Sequence, residues 1–413
     1  MTMTTLLMLA TLLSTPVDEV LMAPSVKQAM EIVDTNREWS IEHLIALTEI
    51  PAPPFEEDER ADAFMERFQE LGLENVQKDE EGNVYGERPG TGEGPTVVLA
   101  AHLDTVFPRG TDVTVKREGM QLSAPGVYDD TVGLVAVLTV VKALQEASVA
   151  TNGTIIFMGT VGEEGRGDLR GVKYLFNKSH VKDRVDMFIS IDGAGDTRIT
   201  NKGLGSRRYK ITYKGPGGHS WGAFGTPNPG FAMGRTLAKL GALEVSTSPK
   251  QSYNVGVIGG GTSVNSVPFE MWMEIDMRGE DVGILKDTEE KFLRFVDEGV
   301  AEENQMRSRN GAVTAEKELI GDRPSGETPD DALIVQTAIE VTKRLTGVDE
   351  VRLGRGSTDS NIPISLGIPA ITIGGGGQGQ HAHALTESFD ATNWPRGIQR
   401  ALAIVVSLVG LSK

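Results

Sequence analysis

The sequence predicts an α/β protein in two parts: a mostly parallel sheet covered by helices, and a smaller domain inserted into it. Short apolar runs at 96–103, 154–159, 187–191 and 369–373 are bounded by glycine or charge, as buried parallel strands are. Helical spacing at 132–146, 330–346 and 396–408 supplies the segments that cover the faces of such a sheet. From about residue 205 the apolar period shortens to that of half-exposed strands, which marks a second kind of sheet.

Taken in order, residues 25–73 have helical apolar spacing, broken by the turn Pro51-Ala52-Pro53-Pro54. Strands and helices then alternate to the end of a first segment, 1–204. In the next segment, 205–320, Tyr209, Ile211 and Tyr213 alternate with Lys210, Thr212 and Lys214. A helix near 230–243 and a strand at 253–258 follow. A strand at 268–278 sets Phe269, Met271, Met273, Ile275 and Met277 against Glu270, Glu274, Asp276 and Arg278. A helix at 284–306 and a strand at 312–319 complete a β-α-β-β-α-β order, the ferredoxin-like arrangement. The larger domain resumes over 321–413.

Composition narrows the function. The formal net charge of -18 repels phosphate backbones and anionic lipid, so neither nucleic acid nor membrane is an expected partner. No stretch approaches the roughly 18 apolar residues of a spanning helix. Residues 6–13 read like a short secretory core, but no Lys or Arg precedes them and no clean cleavage site follows. A cytoplasmic protein is expected, with export by an atypical signal as the alternative. Because the chain has no cysteine, any tight metal site must be built from His, Asp and Glu.

Those residue types collect where strands end. His102 and Asp104 follow the run at 96–101, Glu163 and Glu164 follow 154–161, Asp192 follows 187–191, and His383 lies in the loop after 369–373. Ligands of open α/β sheets bind outside the carboxyl ends of the strands, so these loops should converge. Taken singly, a strand-end aspartate caps turns and paired acids form solvated faces. Gathered together, two imidazoles and three carboxylates suit a pair of zinc ions, with cobalt or manganese able to use similar ligands.

The ordered motifs AAHLDTV, GVYDDTVG, GTVGEEG, SIDG, GGHS, TSVNSVP, IDMR, GSTDSNIP and HALTE span much of the chain. In these motifs, from about Leu44 to Leu408, the sequence resembles the dinuclear zinc exopeptidases that include peptidase T, glutamate carboxypeptidase, acetylornithine deacetylase and aminoacylase. It looks most like the peptidase T-like members. The resemblance implies two zinc ions per subunit, with His102 on one, Asp129 bridging, Glu164 and His383 completing one site and Asp192 the other. It implies that Asp104 orients His102, that the Asp129-Asp130 peptide is cis, and that Glu163 is the general base. It further implies that His219 stabilises the oxyanion, often in the partner subunit's site, within a homodimer joined through the insert. Asn265 and Arg278 match positions that hold substrate.

Two features depart from the family pattern. Tyr128 stands before Asp129 where a small residue is common, and His381 is a second candidate ligand beside His383. His383 is preferred because it precedes Glu387 by four residues, the family's H-x-x-x-E spacing. The expected activity is a metallopeptidase acting on short peptides. An N-acyl amino acid deacylase and a non-catalytic metal-stabilised binding protein are the alternatives, the second disfavoured because a scaffold has no use for Glu163.

Overall fold

A computed structural model describes residues 14–412, and among these helices Val17–Met22, Pro24–Thr35, Arg37–Thr48 and Asp58–Glu70 come first. The apolar stretch at 6–13 lies outside the described residues. The break at Pro51–Pro54 separates the third and fourth of these helices. A further break falls at Asn36, whose side-chain amide donates to the Ile32 carbonyl (2.9 Å).

The chain divides into two units, one running up to Gly203 and resuming at Glu327, the other spanning Leu204–Gly326. In the first, the main sheet includes β1 (Glu74–Lys78), β2 (Val84–Arg88), β3 (Val97–His102), β4 (Ile155–Thr160), β5 (Met187–Ile191), β6 (Arg198–Gly203), β7 (Arg352–Gly356) and β8 (Ala370–Ile373). They pair in the order β1-β2-β4-β3-β5-β8-β6-β7. Every residue of β3, β4, β5 and β8 is buried, and these four strands pair in parallel. Antiparallel pairing enters toward the edges, where β2 meets β4 and β1 meets β2, and where β8 meets β6. The β1–β2 hairpin has a local cause: the Asp79 carboxylate accepts the N–H groups of Glu81, Gly82 and Asn83 and closes the turn.

Alternate side chains of the sheet feed two cores. Val97, Leu99 and Ala101 of β3 face a core that includes helices Thr131–Glu146 and Trp394–Val409. Val98 and Ala100 face the other side, with Val172, Leu175 and Phe176 of helix Arg170–Asn177. Helix Thr131–Glu146 is buried at every position from Thr131 to Val141, which explains its nearly unbroken apolar sequence.

In the second unit, strand Gly205–Lys214, helix Pro229–Gly241, strands Gln251–Gly260 and Glu270–Gly279, helix Val282–Met306 and strand Thr314–Arg323 follow one another. The sheet is antiparallel throughout, with Glu270–Gly279 and Gly205–Lys214 at its centre. Met273, Ile275 and Met277 pack with Ile211, Tyr213, Phe292 and Val296. Phe269 departs from the expected alternation: it precedes the strand and is 58% exposed.

Candidate metal centre

The acidic and imidazole groups of the centre are delivered by strand ends, a helix start and one loop between short strands. His102 closes β3, Asp192 follows β5, and Glu163 and Glu164 lie just past β4. The loop after β4 turns through Gly162, at φ +67°, where a Cβ would stand 2.6 Å from Arg170 Cγ. Asp129 and Asp130 immediately precede helix Thr131–Glu146, and the peptide between them is cis. His383 lies between two short strands, Gln378–Gln380 and Ser388–Asp390, which pair with each other.

These groups meet around one carboxylate. Asp129 Oδ1 is 3.2 Å from His102 Nε2, and Asp129 Oδ2 is 3.2 Å from His383 Nε2. Glu164 Oε1 approaches the same nitrogen of His383 to 2.8 Å. The ligand atoms of His102, Asp129 and Asp192 lie within 4.8 Å of one another, as do those of Asp129, Glu164 and His383. Glu163 joins His102 and Glu164 in a third such group and is itself buried. His381 turns elsewhere: its Nδ1 stands 3.3 Å from both the carbonyl and the hydroxyl oxygen of Thr386.

Asp104 behaves differently from the simple His–carboxylate pairing. His102 Nδ1 is 3.0 Å from the Asp104 carbonyl oxygen and 3.6 Å from its carboxylate. The carboxylate accepts the N–H groups of Glu163 (2.9 Å) and Glu164 (2.8 Å), so it holds the β4 loop against the β3 loop. Two further carboxylates do comparable work. Asp130 accepts from the N–H groups of His102, Gly133 and Gly193, joining three segments of the centre. Glu387 Oε1 accepts from the N–H groups of Tyr128 (2.9 Å) and Asp129 (3.1 Å). Sequence reasoning noticed Asp130 only as part of an acidic pair and Glu387 only as a spacing mark. The available signal for Asp130 was its place as N-cap of a helix.

The electrostatics fit a bound cation. Burial, with the neighbouring Asp129 charge, raises the Asp192 carboxyl to about 7. Burial opposes ionisation of Asp129 as well, but its contacts with His102 and His383 outweigh that and hold it well below the usual carboxylate range. Burial alone would lower His102, yet the carboxylates of Asp104 and Asp129 hold it well above 6.5. The contacts with Asp129 and then Glu164 raise His383 to about 10. In the metal-free chain protons thus hold together acids that crowd one another, a place that divalent ions fill with hard and borderline donors of this kind.

The remaining sequence candidates lie in the second unit. His219 is exposed, and its Nδ1 accepts the N–H groups of Trp221 (3.2 Å) and Gly222 (3.4 Å). The neighbouring ladder pairs His219 with Ser266, and the Asn265 carbonyl accepts the Ser220 N–H. Arg278 donates from Nε to Asp276 (2.7 Å). Tyr128 lies against the Cα of Gly379, where a Cβ would meet its ring at 2.7 Å.

The sequence profile of peptidase family M20/M25/M40 matches residues 98–407. The Bacillus subtilis (strain 168) protein YqjE is 25% identical over 389 residues, covering 90% of this chain and 98% of its own. A succinyl-diaminopimelate desuccinylase of Corynebacterium glutamicum is 23% identical over 344 residues, covering 80% of this chain and 86% of its own. Among solved structures, a tripeptidase of Staphylococcus aureus subsp. aureus shares the fold, with a TM-score of 0.71 at 20% identity over 91% of this chain and 98% of that one.

Proposed function

The chain belongs to peptidase family M20/M25/M40, and from that membership we propose that it hydrolyses amide bonds of short peptides at a centre of two divalent ions. The observation that carries the reading is the placing of Asp129, whose two carboxylate oxygens face two different imidazoles at 3.2 Å each. His102, Asp129 and Asp192 would hold one ion, and Asp129, Glu164 and His383 the other. Zinc is the proposed metal, two ions per subunit, and cobalt or manganese would suit the same donors. Such ions, when bound, polarise a carbonyl and lower the pKa of a shared water from about 15.7 to about 7.

The protein's own groups do the rest. Glu163, buried beside His102 and Glu164, takes the proton of the attacking water and passes it to the leaving amine. Asp104 fixes the main chain of Glu163 and Glu164, so base and ligand move as one unit. Since His219 Nδ1 accepts main-chain N–H groups, its Nε2 is left to donate to a developing oxyanion. Arg278 offers its terminal nitrogens to a substrate carboxylate, with Asn265 holding the peptide alongside. A homodimer through the inserted unit would let His219 serve the site of the second copy.

The desuccinylase likeness favours one second reading, an N-acyl amino acid deacylase using the same centre on a different amide. A panel of di- and tripeptides beside N-acetyl and N-succinyl amino acids, assayed on zinc-loaded and chelated protein, separates the two. Short peptides should be cleaved, and only by the loaded form; turnover confined to the acylated set would overturn the peptidase reading.

A further inference from the structure

Helix Asp58–Glu70 buries Ala61, Phe64 and Phe68, and on the same buried side it carries Arg60, only 1% exposed. Burying a guanidinium in a core is costly, and leaving its donors unsatisfied there costs more. None of its partners is a carboxylate; all are main-chain carbonyls. Nε donates to Ile50 (3.0 Å), and Nη2 to Ile50 (2.5 Å) and Thr48 (3.3 Å), at and just beyond the C-terminus of helix Arg37–Thr48. That end of a helix carries partial negative charge and favours a cation. Nη1 donates to the Leu103 carbonyl (3.0 Å), and Leu103 is the residue between His102 and Asp104.

We infer that Arg60 is a positioning residue for the metal centre, fixing through the Leu103 carbonyl the main chain that carries His102 and Asp104. The neighbouring contacts make the clamp two-sided. Leu103 N–H donates to the Thr160 carbonyl (2.7 Å), and Thr105 N–H donates to the Ala52 carbonyl (2.8 Å). Asp104, held between them, accepts from Glu163 and Glu164, so displacement of the β3 loop shifts the base and a ligand together. The flat fork of a guanidinium reaches Ile50 and Leu103 at once; a lysine ammonium is a point donor on a flexible stem and does not reproduce that geometry. Burial lowers the Arg60 pKa to about 10, so the group is still charged at neutral pH.

The inference rests on the proposed two-metal centre, and its test keeps the two apart. Cobalt is titrated into the metal-free wild type, Arg60→Lys and Arg60→Ala, with visible absorption, thermal unfolding and steady-state kinetics followed in parallel. Wild type taking up no cobalt would sink the metal reading itself. With two ions bound in wild type, Arg60→Lys should fold, weaken cobalt affinity by about 10–100-fold, alter the ligand-field bands and lower kcat more than it changes KM. Guanidinium ion at millimolar concentration should restore the affinity of Arg60→Ala. A lower unfolding temperature with unchanged cobalt affinity and spectrum would reduce Arg60 to a structural tie. So would failure of both variants to fold with or without metal and guanidinium.

Discussion

The larger unit and the inserted unit present their candidate residues in opposite ways. In the larger unit, His102, Asp129, Glu163, Glu164, Asp192 and His383 come from five separate stretches of chain, and their ligand atoms fall into overlapping groups within 4.8 Å. They are backed by carboxylates that bind main-chain N–H groups rather than solvent. In the insert, His219 and Asn265 sit at or beside an exposed short ladder and Arg278 on a strand, and the side chain of each bonds near neighbours in sequence. Sheet topology assembles the first set, because buried parallel strands have only one place to deliver their loops. Nothing in the insert's own packing compels the second set to meet. The first set is thus suited to holding ions, while the second is the set proposed above to meet the substrate.

Variants in each region can break that comparison. The largest effect is expected from Asp129→Ala, which removes the one carboxylate shared by both groups: metal content by elemental analysis should fall for both ions, and turnover to background. Retention of two ions would mean that the sites are not joined through Asp129. Next comes Glu163→Gln, for which turnover should drop by roughly 10²–10⁴ while metal content and unfolding temperature stay at wild-type values. Loss of metal in this variant would make Glu163 a ligand instead of a base. In the insert, His219→Ala should lower kcat by about 10²–10³ with both ions still bound. Mixing His219→Ala with Glu163→Gln chains should restore part of the activity if the imidazole acts in the neighbouring subunit, and no recovery in verified mixed dimers would confine it to its own chain.

The smallest expected effect concerns protons. Contacts with Asp129 and Glu164 raise His383 in the metal-free chain from 6.5 to about 10. This half-exposed imidazolium therefore steadies the metal-free fold below about 6.5, and the contribution disappears as pH rises through about 10. Zinc requires the neutral imidazole, so loading at pH 7 should release protons, and affinity should rise with pH by up to about tenfold per unit for each proton displaced. Calorimetry in buffers of different ionisation enthalpy reads the number directly; a value of zero would show that His383 is already neutral.

Much of the fold was legible because burial writes itself into sequence period. The unbroken apolar runs of β3, β4 and β5 are strands covered on both faces, and the alternation of residues 209–214 is a sheet covered on one. The antiparallel margins of the larger sheet were not legible, since strand direction depends on the connections between strands and not on the strands' own residues. Phe269 misled for a related reason: alternation continues past the end of a strand, but cover does not.

For the candidate centre, sequence alone determined which loops carry the acids and imidazoles, because those residues stand where buried runs stop. Tertiary structure decided the finer questions, each of which turns on distance across the fold. His383 reaches Glu164 and Asp129 while His381, two residues away, bonds Thr386, a choice set by the path of one loop between two short strands. Asp104 meets His102 more closely through its carbonyl and spends its carboxylate on the next loop, which spacing along one strand cannot reveal. Asp130, Glu387 and Arg60 anchor the centre through main-chain groups, and main-chain partners leave no mark on the identity of the residue that receives them.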